Sequence, residues 1–463
     1  METTFTHWPI VVLLIGIATV VILITVAKVH AFLSLMLAAI LVGVLCEELP
    51  QEELTSHLIQ AVELSMTEFG VIAGRIAFII AMASILGVAL TKSGAAEKIV
   101  IKFVALFGER YAPVALVISG FILSVPVFFD TVFFLLIPIA QSMGRRMKKN
   151  YMVYVLAVCV GAVITHSLVP PTPGPLIMAE TMELNLGLVI TAGLIAGILP
   201  TIAGYIFTLR IGPKFNVFPP SFQSEEGEEE SSTSLPPFLL SMLPIVVPIF
   251  LIIFASANEF FIPVENRDTF LSRFIGFIGN KNVAMLAGTF LALWLVARQK
   301  KWSLKKLGQS MEKPLEIAGI IILITSAGGA FGGMIRYSGI GEWIQDMARA
   351  GFQINYILLA WFIAALMKFA QGSGTVSMIT TAGIMYSVMG SVTLPYHPVY
   401  ILLAMGFGSL TLSWMNDSGF WVVCKLSGFT EAQTLKSWTA TLVVMSVIGL
   451  IQTFILAQIF PLV

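Results

Sequence analysis

Charge is scarce in this chain: Asp, Glu, Lys and Arg together make up 11% of it, against about 25% in a soluble globular protein. Hydrophobic residues make up 57%, and the mean hydropathy is +0.93. That leaves too little polar surface to enclose a water-soluble body of 463 residues. A soluble enzyme and a nucleic-acid binder are excluded. So is a disordered chain, which needs low hydrophobicity. Cysteine is also sparse. Cys46, Cys159 and Cys424 stand far apart in apolar stretches, with neither disulfide nor metal-ligand spacing. Strict alternation of apolar and polar residues is missing, which argues against a transmembrane barrel. The start METTFTHWP lacks the basic region of a cleavable leader, so the first apolar run is expected to be a retained span. No HExxH, no GxSxG and no paired carboxylates on one helix appear, which leaves an intramembrane enzyme without chemistry.

Long apolar runs are what the chain does have. A spanning helix needs about 20 apolar residues. Runs of that kind occupy 8–27, 31–46, 71–91, 151–182, 184–209, 236–258, 276–297, 315–336, 397–424 and 434–460. Two further stretches, 112–143 and 353–390, are too long for one span and too short for two. They break at Ser124-Val125-Pro126 and at Gln371-Gly372-Ser373-Gly374. Half-helices of about 13 residues reach only about 20 Å, which predicts two re-entrant hairpins. Two of the spans also break, 151–182 at Val169-Pro170-Pro171-Thr172-Pro173-Gly174-Pro175 and 397–424 at Asn416-Asp417-Ser418-Gly419.

Short cytoplasmic loops collect Lys and Arg. With the N-terminus outside and both hairpins re-entrant, 19 of the 26 basic residues fall inside. A single crossing by 112–143 would put Arg145, Arg146, Lys148 and Lys149 on the wrong side. The acidic stretch 47–68 then lies outside and is expected to form a surface helix. Glu225 to Glu230 sit in a Pro/Ser-rich solvated linker. The expected fold is therefore an all-α polytopic membrane protein of about ten spans, two re-entrant hairpins and two broken spans. Residues 1–70 hold N-terminal spans and the surface helix, 71–209 a first repeat, 210–235 a cytoplasmic linker, 236–314 two connecting spans, and 315–463 a second repeat.

The repeat itself is legible at one gapless offset of 245. Ile72-Ala73-Gly74 falls on Ile317-Ala318-Gly319, Gly87 on Gly332, Ser93-Gly94 on Ser338-Gly339, Glu97 on Glu342, Gly161 on Gly406 and Gly174 on Gly419. Hairpin tip 125–131 falls on 370–376, and break 168–175 on 413–420. The basic residues start 71–91 outside and 315–336 inside, so the repeats are inverted, the usual build of a secondary transporter.

Irregular backbone at membrane depth survives only within protein or along a wet cavity. The four interruptions should therefore meet, each presenting a half-helix N-terminus with free N–H groups and partial positive charge. Such ends favour an anion. Their hydroxyls and amides, from Ser124, Thr131, Thr165, Ser167, Thr172, Gln371, Ser373, Thr375, Asn416 and Ser418, suit a polyhydroxylated carboxylate. Charges at this depth are costly. Asp130 reads as a proton carrier or as the N-cap of a helix starting at Thr131, and Asp417 has the same two readings. His166 is a substrate ligand, a proton relay or a structural histidine. Lys368 attracts a carboxylate or pairs with a neighbouring acid. Arg75 lies near the outer end of its span and snorkels.

Five motifs together resemble the gluconate:proton symporter (gluconate permease) family over nearly the whole chain. They are Ser93-Gly94-Ala95-Ala96-Glu97, Val125-Pro126-Val127-Phe128-Phe129-Asp130, Thr165-His166-Ser167-Leu168-Val169-Pro170-Pro171-Thr172-Pro173-Gly174-Pro175, Ala370-Gln371-Gly372-Ser373-Gly374-Thr375-Val376 and Asn416-Asp417-Ser418-Gly419-Phe420-Trp421. The resemblance implies a bacterial inner-membrane carrier taking up gluconate or a related sugar acid with protons. It is similar to the wider ion-transporter group, which implies a homodimer with a scaffold and a moving transport domain. Members often carry Glu at position 130, His at 172 and Arg at 368, where this chain has Asp130, Thr172 and Lys368.

The expected function is thus a secondary transporter, with Asp130 and Asp417 in proton coupling. Ser124, Thr131, His166, Thr172, Gly174, Lys368, Gln371, Ser373, Thr375, Asn416 and Ser418 are expected at the substrate. Metal and cofactor are not expected, and the proton is the coupling ion. Alternatives are a sodium-coupled dicarboxylate carrier, a D-amino-acid:proton symporter and an anion channel. Both termini are expected in the periplasm.

Overall fold

The computed structural model describes residues 7–50, 56–147, 150–219, 235–261, 269–349, 355–389, 394–415 and 417–462, and among them every regular element is helical. The first half contains α1 (Trp8–Thr25), α2 (Ala31–Leu45), α3 (His57–Lys92), α4 (Ala95–Phe107), α5 (Ala112–Leu123), α6 (Phe129–Met147), α7 (Tyr151–Leu168), α8 (Pro173–Thr181) and α9 (Leu186–Ile211). A connecting group follows, α10 (Phe238–Phe261), α11 (Phe270–Gly279), α12 (Lys281–Lys300) and α13 (Leu304–Gln309). The second half contains α14 (Glu312–Arg336), α15 (Ile340–Arg349), α16 (Tyr356–Gln371), α17 (Gly374–Met389), α18 (Val399–Gly408), α19 (Ser418–Ser427), α20 (Glu431–Thr434) and α21 (Ala440–Ile459). A π-helical turn, Leu435–Thr439, joins the last two. Seven of the described helices are long and apolar enough to cross a membrane, and shorter apolar helices accompany them.

Helix starts recur at one offset. Ala95 and Ile340, Phe129 and Gly374, Pro173 and Ser418, Leu186 and Glu431 each start elements at the offset of 245 read from the sequence. Gly94 and Gly339 both adopt left-handed backbone, φ +73° and +77°, where the chain leaves α3 and α14 for α4 and α15. A side chain there would be strained, and glycine removes that cost. Contacts between the halves are reciprocal. α3 packs on α14 and α9 on α21, while α8 packs on α17 and α19 on α6. Such a pattern is that of a two-fold relation between the repeats.

Each broken stretch folds back. Val117 and Phe121 of α5 lie against Gly161 of α7, and Phe121 and Ile164 share a neighbour in Gly197. α5 therefore runs parallel to α7, whereas α6 meets it tail to head, with Gly144 against Tyr151. The two arms are antiparallel, a hairpin laid on α7. In the second half α16 and α17 pair in the same way, and α16 lies on α18. Gly372, φ +77°, ends α16 and donates its N–H to the Lys368 carbonyl, a glycine terminus that leaves room for an immediate turn.

α7 and α18 are buried on nearly every side, and they are apolar all round, as a fully enclosed helix must be. By contrast α9, α10 and α21 present apolar outer faces, including Ile195, Ile202, Phe250 and Ile451. A bilayer would cover those faces without cost.

Three expectations are corrected. The acidic stretch 47–68 makes no separate surface helix; among its described residues, those from His57 on form the first turns of α3, a continuous helix of 36 residues. Helix propagation is cheap once a nucleus exists, and no Pro or Gly separates the polar turns from the apolar ones before Gly70. The second break is wider than expected, because α18 stops at Gly408 and the described residues 409–415 are irregular before α19 starts at Ser418. Arg75 does not simply snorkel: its guanidinium donates to the Glu180 carbonyl at 3.3 Å and lies 4.0 Å from Glu183. The linker acids Glu225 to Glu230 lie outside the described residues.

Candidate functional site

A cavity of about 500 Å³ lies where the interruptions converge. The first residues of four helices line it: Phe129 of α6, Pro173 of α8, Gly374 of α17 and Ser418 of α19. Four helix N-termini, each a positive dipole end, thus face one space. α14 adds a further wall, through Ile317, Ile321 and Thr325.

Local sequence explains these helix starts. Pro173 sits at the first position of α8, where its missing N–H is no loss. Thr172 precedes it and turns its hydroxyl to the carbonyls of His166 (2.9 Å) and Val169 (2.7 Å). At the equivalent place in the second repeat, Asp417 caps α19 by accepting from the Gly419 N–H at 2.9 Å.

Asp417 does more than cap. Its other oxygen accepts from Lys368 Nζ at 2.6 Å and from the Ser413 hydroxyl. Lys368 Nζ also donates to the Gly372 carbonyl at 2.9 Å. The two side chains are 6% and 10% exposed. So the lysine satisfies one reading made from the sequence, pairing with an acid, while still lining the cavity. Asp130 differs. It is the second residue of α6, not its cap, because the helix begins at Phe129. Its carboxylate is exposed to the cavity, and among the described residues no hydrogen-bond or ion-pair partner is found for it.

The cavity brings together Asp130, Thr131, His166, Ser167, Lys368, Ser373, Thr375, Asp417 and Ser418. His166 shows the edge of its ring to Phe128, and its Nδ1 is buried without a partner among the described residues. Four expected residues do not line it. Ser124 is buried, its hydroxyl without a partner among the described residues, Thr172 is turned to backbone, and Gly174 is packed against Met378. Gln371 is 8% exposed, with both amide atoms unpartnered among the described residues. Thr165 likewise turns back to its own helix. Asn416 lies outside the described residues.

Sequence reasoning missed Thr325, Ser409, Ser413 and Trp438. Thr325, Ser409 and Trp438 line the cavity, and Ser413 supports it from behind. Ser413 stood within the window 413–420 that the repeat marked as a break. Trp438 carried no signal beyond being an N–H-bearing ring inside an apolar run. Among the described residues no group of His, Cys, Asp and Glu could hold a metal ion.

Paired repeats, two hairpins and a cavity ringed by helix N-termini are the build of a membrane transporter. The model of the GntP family permeases matches residues 8–459, and the chain belongs to that family. A gluconate permease of Pseudomonas aeruginosa is 31% identical over 96% of this chain and 96% of its own. The Gnt-II system L-idonate transporter of Escherichia coli is 30% identical over 96% of this chain and 98% of its own. Among solved structures, that of the Alcanivorax borkumensis YdaH transporter superposes with a TM-score of 0.67 at 14% identity, covering 99% of this chain and all of that one. The likeness is one of fold. The chain is a multi-pass membrane permease.

Proposed function

We propose that this permease takes up gluconate or a closely related sugar acid together with protons across a bacterial inner membrane, with both termini in the periplasm. The observation that carries the reading is the charge arrangement of the cavity. Asp130 stands unpaired on one hairpin tip, opposite a lysine that is already half-satisfied by Asp417. Lys368 is the one cation among the residues lining the cavity. One shared cation and four helix ends suit a monocarboxylate with hydroxyls better than a dicarboxylate. Relatives named for gluconate and L-idonate, at about 30% identity, support that class. Asp130 takes the proton, because among the described residues it has no salt-bridge partner to hold it ionised. Asp417, tied by Lys368, Ser413 and the Gly419 N–H, serves structure and substrate.

The two hairpins also sit at different heights, the asymmetry that alternating access inverts. Gly332 of α14 meets Gly383, well along α17, while its repeat counterpart Gly87 of α3 meets the first tip at Pro126 and Val127. The counterpart of Gly383 is Pro138. Exchanging the two settings slides each hairpin by twelve residues, or roughly 18 Å at the helical rise of about 1.5 Å per residue. Such a displacement carries the cavity along α3 and α14 in the manner of an elevator. The cavity now faces the first half of α14, the half that the basic residues place inward, while Ile379 and Gly383 close against Gly328 and Gly332.

Uptake of labelled gluconate into proteoliposomes tests this. An inward proton gradient should drive accumulation, replacing sodium by choline should change nothing, and Asp130→Asn should leave only equilibrative flux. Full concentrative uptake by Asp130→Asn would falsify the assignment of the proton.

A further inference from the structure

Beyond the ion pair, a single chain of contacts crosses the site. Trp438 Nε1–H donates to the Ser413 hydroxyl at 3.0 Å, Ser413 donates to Asp417, and Asp417 holds Lys368. The other side of the Trp438 ring stacks on Phe129, with centroids 5.6 Å apart and planes 23° apart. Phe129 opens α6 and immediately precedes Asp130. Trp438 is 2% exposed and sits on the π-helical turn, a distortion that is uncommon in helices and frequent at functional sites. Thr439, next along that turn, donates its hydroxyl to the Ser413 carbonyl and fixes the same segment.

The repeat provides a control within the molecule. At the offset of 245, Lys368, Asp417, Ser413 and Trp438 fall on Leu123, Thr172, Leu168 and Gly193. All four members of the chain are absent from the first repeat. At the matching contact Gly193 lies directly on the Leu168 carbonyl, where a Cβ would stand 2.4 Å from it. The stretch of α9 that matches the π turn is regular α-helix. Fold alone therefore does not require these four residues, or the π turn. They are an addition to one repeat, and Trp438 meets the other repeat through the Phe129 ring.

We propose that Trp438 is a positioning residue for substrate binding: through Ser413 and Asp417 its N–H sets the place of the Lys368 cation, and through its ring face that place follows the first hairpin tip. The inference rests on the reading of Lys368 as the carboxylate-binding cation. It supplies what that reading lacks, a physical link between the tip that bears Asp130 and the cation in the opposite repeat.

The experiment measures KM and maximal rate for gluconate uptake in Trp438→Phe, which keeps the ring stack but loses the donor, and in Ser413→Ala. Ser413 does not line the cavity, so its variant cannot act by touching substrate. Each should raise KM about five- to thirtyfold, the effect of one buried hydrogen bond in a charged network, with the maximal rate kept. The double variant should be no worse than either, and Ser413→Thr should restore the wild-type value. Phe129→Leu combined with Ser413→Ala should fall short of the product of the single fold-changes. An unchanged KM in Ser413→Ala, or fold-changes that multiply throughout, would overturn the link. Thermal unfolding of the same purified variants reads the network with no substrate present. A wild-type chain that fails to take up gluconate sinks the substrate reading alone, while additive shifts in unfolding temperature sink the network.

Discussion

Removing one member of the Lys368–Asp417 pair is the perturbation whose size the structure constrains best. The two groups meet at 2.6 Å and are almost withdrawn from solvent, at 6% and 10% exposure. Breaking a buried pair from one side strands the other charge and costs about 3–5 kcal/mol. The remaining partners decide where in that range each variant falls. In Lys368→Met the carboxylate keeps the Gly419 N–H at 2.9 Å and the Ser413 hydroxyl, so the loss should lie near the lower end, about 3 kcal/mol. In Asp417→Ala the ammonium keeps, among the described residues, the Gly372 carbonyl alone, and α19 loses its cap, worth about 1 kcal/mol more. The loss should then approach about 5 kcal/mol. Lys368→Met/Asp417→Ala removes both charges and should be less damaged than the sum of the single variants by about 2 kcal/mol or more. Unfolding in mixed micelles, titrated with a denaturing detergent, gives all four stabilities on one scale. Uptake should be lost in every variant that lacks Lys368, including the double. Additive stabilities would show that the two side chains are not coupled, and wild-type KM in Lys368→Met would show that the cation does not bind the carboxylate.

Two further outcomes follow from the packing of α14 on α17. Gly328→Cys with Ile379→Cys places the two Cβ atoms about as far apart as the 3.2 Å found between an added Cβ and the Ile379 Cβ, close to the ~3.5–4.5 Å of a disulfide. Oxidation should link them and stop uptake, and reductant should restore it; uptake that continues through a complete cross-link would refute a moving hairpin. Gly332→Val should lower the unfolding temperature sharply, because its Cβ would lie 2.3 Å from the Gly383 Cα, a backbone atom that cannot turn aside. Overpacking of that kind costs about 1–3 kcal/mol or more. Gly70→Ala, with open space around it, is the control and should be neutral or stabilising.

Much of the fold was readable because membrane helices obey few rules. Apolar length marked the helices, and interruptions such as Gly372 and Pro173 marked their ends. The one gapless offset then predicted that helix starts would recur, and Phe129 with Gly374, and Pro173 with Ser418, do so. Hydropathy misled where it averages over a helix that changes environment. The acidic turns of α3 look like a separate surface element, yet Glu68 pairs with Arg336 at 2.8 Å and its stem packs on Gly333. A charge paired at the end of a long helix reads, in one dimension, the same as a charge in a loop.

The site was readable as a list of polar residues and unreadable as an arrangement. Composition placed Lys368 and Asp417 at membrane depth, and left open whether each stood alone. Nothing in either sequence neighbourhood says that 49 residues of chain return them to 2.6 Å. Asp130 and Asp417 looked alike, each an acid beside a helix break, and their difference is one of register. Asp417 precedes its helix and can cap it, whereas Asp130 lies one residue inside α6 and points into the cavity unpartnered among the described residues. That two-residue offset leaves one carboxylate free to take a proton and commits the other to a lysine. The same comparison explains why Trp438 and Ser413 went unseen. Their role appears only when Gly193 and Leu168, which fill the same places in the first repeat, are set beside them. Repeats that share a fold reveal function where they differ, and here the second repeat carries Lys368, Asp417, Ser413 and Trp438 where the first has Leu123, Thr172, Leu168 and Gly193, while the first carries Asp130 where the second has Thr375.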